Sequence, residues 1–427
     1  MPSISNDAEN RVQRFKEQRW ILDNVIRTVG VCWNQGDMDF ALFPCGIGAL
    51  GDFLRVEKNV KKYNDIAREY AAAATRRQSL GEEMERNGYT VAARESYYIA
   101  SILYGQAQWP IAEPTRQNHE LEKRKNHCYA KYAEYADHIT RPVEIPYRGK
   151  SLPGWLHLPP TYKPGERVPC VITVGGMDST KEICVALHGD QFLSRGIAVF
   201  LFDGPGQYSS ALREIFVTEA GFYEAGEAIW GWLSKQKEID HDKIAVRGVS
   251  MGSIWGTQVA SVVPTIKACS VAYPSYERGE KTAFSMYSPS FKLRFMFMSG
   301  YTEEDAFDKF VQGINSDSLG VKVTFPYLVV GGEDDDFASI ESAFDVLNEV
   351  KAPKELMLYK AEGHTLHSRP SSYLGPSEWA YIADWTADRF EGKPMESTFS
   401  VVDSHGQVHR QPWGENRRYD YGLPDLA

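Results

Sequence analysis

Three side chains that could together transfer an acyl group occur along this 427-residue chain in the order serine, carboxylate, histidine. The serine lies in Gly248-Val-Ser250-Met-Gly252, between the apolar run 244–246 and a segment, 254–263, with apolar residues at helical spacing. A strand, a tight turn and a helix in this order hold a serine hydroxyl at the end of a sheet. The glycines let strand and helix pass closely. We predict Ser250 as the nucleophile, against the alternative that G-x-S-x-G arises by chance.

A serine hydroxyl needs a positioned base, and four histidines follow Ser250 in the chain. His364 comes shortly after the last apolar strand, and Gly363 before it lets the loop fold back towards the serine. His367 is the competing candidate, as a residue that supports the base or as an ordinary surface residue. His405 and His409 fall in a polar tail. We therefore predict His364 as the base.

The carboxylate should follow the apolar strand 325–330, where the chain offers Gly331-Gly-Glu-Asp-Asp-Asp336. An acid that accepts a hydrogen bond from the imidazole holds the correct tautomer and stabilises the imidazolium. The spacing G-x-x-D, counted from Gly332, selects Asp335. Asp334 and Asp336 stay as alternatives, since only one of the three can point inward. The other two are interpreted as solvated or as capping the next helix.

Two backbone amides are candidates for an oxyanion hole. The amide of Met251 follows the nucleophile at the start of a helix, where N–H groups face a developing negative charge. The second donor should come from Gly175-Gly176-Met177, after the apolar strand 168–174. Gly176 and Met177 are both possible donors, and Met177 is favoured. Asp178 and Ser179 are interpreted as caps of a following helix.

No cofactor or metal is predicted. The glycine-rich turn Phe202-Asp-Gly-Pro-Gly-Gln207 lacks the lysine and hydroxyl of a phosphate-binding loop, so it is interpreted as a structural turn that shapes the pocket floor. The chain has no H-E-x-x-H motif and no cluster of cysteine and histidine, and His364-Thr-Leu-His367 alone is a weak metal signal.

The segment order predicts an α/β fold with a doubly wound, mostly parallel sheet and an N-terminal helical cap domain. Residues 1–140 show helical periods and no strand pattern, with a loop expected at 43–51. From 141 to 392 apolar strands alternate with predicted helices, including one at 181–195. An aromatic-rich insertion, 274–320, is expected near the ligand-binding edge of the sheet. Residues 393–427 are interpreted as an extended C-terminal tail.

Composition narrows the function classes. A formal net charge of −10 argues against nucleic-acid binding, and no segment has the length and apolar character of a signal peptide or membrane span. The six scattered cysteines, Cys32 among them, indicate reduced thiols, and a cytoplasmic location is expected. The aromatic content of 12% weakly favours a bulky aromatic or polyketide-like small molecule as the partner.

Four stretches together resemble the family of 2,6-dihydroxypseudooxynicotine hydrolase, and more distantly the fungal polyketide-shortening hydrolases of the yellowish-green pigment type. They are 175–182 (GGMDSTKE), 202–207 (FDGPGQ), 248–252 (GVSMG) and Gly363-His364, behind a helical N-terminal region. The resemblance covers roughly residues 85–390. It implies an α/β-hydrolase whose helical region covers a Ser250–Asp335–His364 triad. It also implies a homodimer and a further acidic residue near the site, which no motif places in this chain.

The resemblance implies hydrolysis of a C–C bond next to a ketone through an acyl-enzyme. A carboxylesterase or lactonase acting on a bulky aromatic ester is the first alternative, because the same groups expel an alkoxide more easily than a carbanion. A non-catalytic α/β-hydrolase-fold binding module is the second. The presence of serine, acid and histidine in the expected order disfavours that module.

Overall fold

The computed structural model describes residues 11–31 and 38–420, so Cys32 and the ends of the chain lie outside the described residues. The helices before the first strand are α1 (Gln13–Val29), α2 (Met38–Cys45), α3 (Leu50–Asn59), α4 (Asp65–Arg86), α5 (Thr90–Gln108) and α6 (Arg116–Glu134). Helix α5 packs between α4 and α6 and is buried along most of its length. Thr115 caps α6 by accepting from the amide of Asn118.

In the described residues, ten strands form one sheet. They are β1 (Thr140–Tyr147), β2 (Lys150–His157), β3 (Val168–Val174), β4 (Ala198–Phe202), β5 (Ile239–Val249), β6 (Ile266–Ala272), β7 (Tyr327–Gly332), β8 (Lys354–Tyr359), β9 (Thr398–Val402) and β10 (Val408–Pro412). Their order across the sheet is β1-β2-β4-β3-β5-β6-β7-β8-β9-β10. Pairing is parallel from β4 to β9 and antiparallel at both edges. The predicted α/β fold with a mostly parallel sheet is confirmed.

Helices cover both faces of the sheet. Those after β4 are α7 (Tyr208–Leu212), α8 (Gly221–Leu233), α9 (Gly252–Val262), α10 (Lys281–Ser285), α11 (Pro289–Ser299), α12 (Glu304–Val311), α13 (Ile340–Glu349), α14 (Pro370–Leu374) and α15 (Glu378–Phe390). None of the helices within the described ranges has the length and apolar character to cross a membrane. Because β3 and β5 pair while β4 lies on the other side of β3, the loops after β3 and β5 face one crevice.

The segment 181–195, predicted as a helix, instead forms turns that end in a 3₁₀ turn at Leu193–Arg195. Gly189 has a φ of 104°, and the carboxylate of Asp190 accepts from the amides of Phe192 and Leu193. The amide of Leu187 donates to the carbonyl of Pro44 in α2. Tertiary contacts therefore determine the backbone here, and the helical spacing of apolar residues was misleading.

Two other segments are more regular than expected. Residues 43–51, predicted as a loop, belong to α2, a 3₁₀ turn at Ile47–Ala49 and the start of α3, with a break only at Gly46. The predicted tail contributes β9 and β10, which extend the sheet, and Phe399 of β9 is buried. Residues 421–427 of that tail lie outside the described residues.

Candidate active site

Ser250 occupies the sharp turn between β5 and α9, with a φ of 56°. This left-handed conformation is strained for a residue other than glycine. The turn has no room for side chains on the neighbouring glycines. A Cβ at Gly248 would lie 2.1 Å from the carbonyl oxygen of Gly252, and one at Gly252 would lie 2.2 Å from that of Val174. The two glycines are thus sterically required.

The structure brings the three predicted side chains together. The Oγ of Ser250 lies 2.8 Å from Nε2 of His364, and Nδ1 of His364 lies 2.8 Å from Oδ2 of Asp335. The other oxygen of Asp335 accepts from the amides of Phe337 and Ala338, so the carboxylate is held on both sides. In the neutral tautomer with the proton on Nδ1, Asp335 accepts a hydrogen bond from Nδ1–H, which leaves Nε2 free to accept from the serine hydroxyl.

The surrounding charges make His364 a stronger base. Burial alone favours the neutral imidazole, but the negative charge and hydrogen bond of Asp335, with smaller effects of Asp178 and Asp336, raise the pKa of His364 above its usual value. Asp336 lines the pocket without bonding to His364, and Asp334 is exposed. The geometry therefore pairs His364 with Asp335 among the three adjacent acids.

The loop after β3 approaches the nucleophile closely. A Cβ at Gly176 would lie 2.9 Å from Cβ of Ser250, so only glycine fits there. The amide of Gly176 is already engaged, because it donates to Oγ of Ser179 at 3.1 Å. The amides of Met177 and Met251 donate to no other residue that the structure describes. Of the two candidate donors in this loop, Met177 is the one with a free amide.

Gln207, at the end of the 202–207 turn, holds this loop. Its Nε2 donates to the carbonyl oxygens of Gly175 at 2.9 Å and Gly176 at 2.6 Å, and its Oε1 accepts from the amide of Gly204 at 2.7 Å. From the sequence, this turn is interpreted only as a structural turn that shapes the pocket floor. The sequence does not predict that one buried glutamine joins the two glycine-rich motifs.

A buried ionic network connects helix α6 to the sheet. Nζ of Lys181 lies 3.2 Å from the carboxylate of Asp203, 2.7 Å from that of Glu182 and 3.7 Å from that of Glu122 on α6. Lys125, one turn along α6, lies 3.0 Å from Glu122. Burial disfavours the charged form of Glu122, yet the two lysines lower the pKa of its carboxyl well below the usual range. The network explains why charged residues occur inside both family motifs.

A second buried acid, Glu280, is connected by hydrogen bonds to the turn that holds Ser250. Glu280 accepts from Oγ of Ser275 at 2.5 Å, and the amide of Ser275 donates to Oγ of Ser253 at 3.1 Å. Ser253 in turn donates to the carbonyl oxygen of Ser250 at 2.5 Å. Burial raises the pKa of Glu280 to about 8, so this carboxyl is largely protonated at neutral pH. No motif in the sequence marks this residue.

The hydroxyl of Ser250 opens into a cavity of about 220 Å³, here called the inner cavity. Aromatic side chains from α2, the 274–320 insertion and the strand ends form much of its wall: Phe40, Tyr273, Tyr287, Phe291 and Phe337. Asp178 also lines it, and burial raises the pKa of this carboxyl. Its predicted role as a helix cap is wrong, because no helix follows it. A flat, apolar substrate with a nearby polar group suits this lining.

His367, the alternative base, lies outside the hydrogen-bonded set at Ser250. Its Nε2 lies 2.8 Å from the carboxylate of Glu378, and it lines a neighbouring cavity of about 500 Å³, here called the outer cavity. Within the part of the chain that the structure describes, no group of three or more His, Cys, Asp or Glu side chains is arranged to hold a metal ion.

The ten-stranded sheet and the arrangement at the carboxyl ends of β3, β5, β7 and β8 are those of the α/β-hydrolase fold. Residues 63–275 match a family described as FrsA-like esterases. The crystal structure of 2,6-dihydroxy-pseudo-oxynicotine hydrolase superposes with a TM-score of 0.72 at 22% identity and covers 84% of this chain and 98% of that one. The resemblance expected from the sequence motifs is thereby confirmed.

Curated fungal hydrolases are similar in sequence. The α/β-hydrolase ucsC of Acremonium sp is 30% identical over 288 residues, which cover 62% of this chain and 56% of that protein. The α/β-hydrolase xenA of Xenoacremonium sinensis is 29% identical over 61% of this chain and 63% of its own length. Hydrolase phmG of Phaeosphaeria nodorum is 26% identical over 91% of this chain and 85% of its own. The chain thus aligns with less than two thirds of the first two relatives.

Proposed function

We propose that the protein is a serine hydrolase that cleaves a C–C bond next to a ketone, in a β-dicarbonyl or acyl-aromatic substrate. The observation that best supports a serine mechanism is the continuous hydrogen-bonded series from Ser250 through His364 to Asp335. The amides of Met251 and Met177 are the proposed oxyanion donors. The resemblance to 2,6-dihydroxypseudooxynicotine hydrolase supports the C–C bond as the target, and the aromatic inner cavity supports a bulky aromatic or polyketide-like substrate.

In the first half-reaction, Oγ of Ser250 attacks the ketone carbon while Nε2 of His364 takes the hydroxyl proton. The carbonyl oxygen becomes an oxyanion, which the two amides stabilise. The C–C bond then breaks, its electron pair leaves as a resonance-stabilised carbanion, and the imidazolium returns the proton to that carbon. The first product departs and an acyl group remains on Ser250.

In the second half-reaction, His364 takes a proton from a water molecule, whose oxygen attacks the acyl carbon. Collapse of the resulting oxyanion releases Ser250 as a hydroxyl, with the proton from the imidazolium, and a carboxylic acid. Asp335 keeps the imidazole oriented and stabilises its charged form in both halves. The small-molecule class of the substrate and a homodimeric assembly stay predictions from the sequence.

Ester or lactone hydrolysis is a second candidate, and the match to FrsA-like esterases favours it. The two functions differ in the leaving group, which is an alkoxide for an ester and a carbanion for a diketone. Incubation with benzoylacetone and, separately, with phenyl acetate distinguishes them by product analysis. Cleavage of the diketone to carboxylic acid and ketone supports the proposal, whereas ester turnover with an inert diketone overturns it in favour of the esterase.

The serine mechanism itself predicts the effect of Ser250→Ala. We expect kcat to fall by several orders of magnitude, about 10⁴-fold or more, because the covalent intermediate can no longer form. A fluorophosphonate probe should label the wild type and leave this variant unlabelled. Ser261→Ala, on the same helix α9, is the matched control and should keep both activity and labelling. An unlabelled wild type would instead favour the non-catalytic binding module.

A further inference from the structure

The outer cavity adjoins the inner cavity, into which the hydroxyl of Ser250 opens. It shares Phe40, Tyr273 and Thr365 with the inner cavity, so one bound molecule can extend from one into the other. At about 500 Å³ it is the larger of the two, and the steps proposed for Ser250 use none of its polar groups. A substrate larger than the scissile ketone therefore has room for a second recognition element here.

The outer cavity contains a buried cation that forms no hydrogen bond or ion pair with the residues that the structure describes. Arg247 lies on β5, three residues before Ser250, and is only 6% exposed. Its Nε is buried and makes no hydrogen bond, and its guanidinium forms no ion pair with any residue that the structure describes. The guanidinium lies over the rings of Trp379, at 4.3 Å, and Phe192, at 5.8 Å, so its plane is held in position by aromatic contacts.

The two acids that line the same cavity accept hydrogen bonds from other groups, and the charge of Arg247 acts on Asp190 without forming an ion pair with it. Asp190 accepts from the amides of Phe192 and Leu193 at 2.9 and 3.0 Å. Glu378 accepts from the hydroxyl of Tyr273 at 3.0 Å and lies 2.8 Å from His367. Burial of a cation without an ion pair is unfavourable, and a bound anion can offset part of that cost.

We propose that the outer cavity is a subsite for a carboxylate-bearing part of the substrate and that Arg247 binds this carboxylate. The inference rests on the proposed function, because it assigns the part of the substrate that lies away from the bond cleaved at Ser250. A guanidinium matches the two oxygens of a carboxylate with two parallel N–H donors, which makes arginine selective for planar anions. Arg247 is in this view a specificity-determining residue that contacts no reacting atom.

The first test compares charged and neutral substrates of the same length. The charged series consists of mono-p-nitrophenyl esters of linear dicarboxylic acids of increasing chain length, and the neutral series of the same compounds with the distal acid methylated. We expect the wild type to show a higher kcat/KM for the charged ester at one chain length. Arg247→Met should lower the charged-to-neutral ratio about 10- to 100-fold, and Arg247→Lys should lower it less.

Arg195→Met is the matched control. Arg195 pairs with Asp384 on α15, the helix that also carries Trp379, but it does not line the cavity. It should leave the ratio unchanged, and melting temperatures of all variants report on folding. A wild-type ratio near one at every chain length overturns the proposal. A loss in Arg247→Met that is equal for both series also overturns it.

The second test does not depend on turnover. Binding of biphenyl-4-carboxylate and of biphenyl-4-carboxamide to Ser250→Ala protein is measured by calorimetry, with and without Arg247→Met. We expect tighter binding of the carboxylate, lost in the double variant. If the esters and diketones are inert but this preference holds, the proposed function fails and the anion subsite stands. Equal affinity for the two probes overturns the subsite, whatever the outcome of the activity assays.

Discussion

At the scale of single residues, the inner cavity contains two groups that influence each other, Asp178 and His364. The carboxylate of Asp178 contributes to the raised pKa of His364, after the larger contribution of Asp335, while burial raises the pKa of Asp178 itself. A carboxyl group with a raised pKa beside the reacting bond can also accept or deliver a proton more readily than an exposed one. Asp178 thus adds a second acid to the three hydrogen-bonded residues.

Replacement of Asp178 by Asn should shift the acidic limb of the pH–rate profile to lower pH. With His364 as the proposed base, activity requires the neutral imidazole and is lost as the pH falls through its pKa. Loss of a nearby negative charge makes the imidazolium less stable and so lowers this pKa. The measurement is kcat/KM against pH with a phenyl ester. Asp334→Asn, an exposed neighbour of the triad acid, should leave the limb in place; a shift of the limb to higher pH in Asp178→Asn would contradict the prediction.

Glu280 should make the stability of the protein depend on pH. Its pKa of about 8 in the folded state lies above the ordinary value of 4.5, so the folded state binds the extra proton between these values. The free energy of unfolding should therefore be highest at and below about pH 4.5 for this group and fall as the pH rises to about 8.

Glu280→Gln removes that titration while it keeps a hydrogen-bond acceptor for Ser275. Urea unfolding of both proteins at several pH values should show the wild type losing a few kcal/mol relative to Glu280→Gln over this range. A difference between the two that stays constant with pH would mean that Glu280 is ionised in the folded state.

At the scale of elements, the active site is the meeting point of four loops at the end of one sheet. The order in which β3, β5, β7 and β8 pair brings together the loops that carry Met177, Ser250, Asp335 and His364. These residues could be predicted because each directly follows an apolar strand, and strand ends in a parallel sheet lie on one edge. The strands themselves were predictable for the same reason, since buried parallel strands are continuous apolar runs.

Gln207 shows why the remaining groups were not predictable. Its partners, Gly175 and Gly176, are some thirty residues away in the chain and meet it only because β3 pairs with β4. Glu280 is similar, since its link to the turn passes through Ser275 and Ser253. For the segment 181–195 the prediction of a helix was wrong for the opposite reason. Its local pattern favoured a helix, but the buried contacts of Lys181 and Glu182 determined the backbone conformation.

Gln207→Leu tests whether activity requires the hydrogen bonds from Gln207 that hold the loop after β3. Without the two donated hydrogen bonds the amide of Met177 should no longer be fixed towards the oxyanion. We expect kcat to fall about 10- to 100-fold with a smaller change in KM, somewhat less than the loss of a whole oxyanion donor. Gln236→Leu, remote from the site, is the control. A pure KM effect would indicate that Gln207 shapes substrate binding instead.

At the scale of the whole molecule, the N-terminal helices and the sheet share one continuous set of buried side chains. Charged residues connect the same two parts, through Glu122 and Lys125 on α6 and Lys181 and Asp203 on the hydrolase side. Phe40 of α2 reaches both cavities. The helical region is therefore packed firmly against the sheet and forms part of the wall of both cavities, and we expect its residues to contribute to substrate selection.

Lys181→Met should destabilise the fold markedly. The substitution keeps the apolar stem but removes the cation nearest to Asp203, and it leaves Glu122 and Glu182 with Lys125 alone. Removal of one partner from a buried ion pair costs about 3–5 kcal/mol. Chemical denaturation measures the loss, with the exposed Lys393→Met as the control, for which little change in the free energy of unfolding is expected. Equal effects of the two substitutions would mean that the buried network adds nothing beyond a surface pair.

The crowding around Ser250 has a practical consequence for anyone who wishes to redirect this enzyme in the laboratory. Even a methyl group at Gly248 or Gly252 would overlap backbone atoms, so libraries that randomise the turn would consist mainly of misfolded protein. Tyr287 and Phe291 line the inner cavity from a separate insertion. Substitutions at these two positions can change the substrate preference without altering the backbone turn that orients the Ser250 hydroxyl.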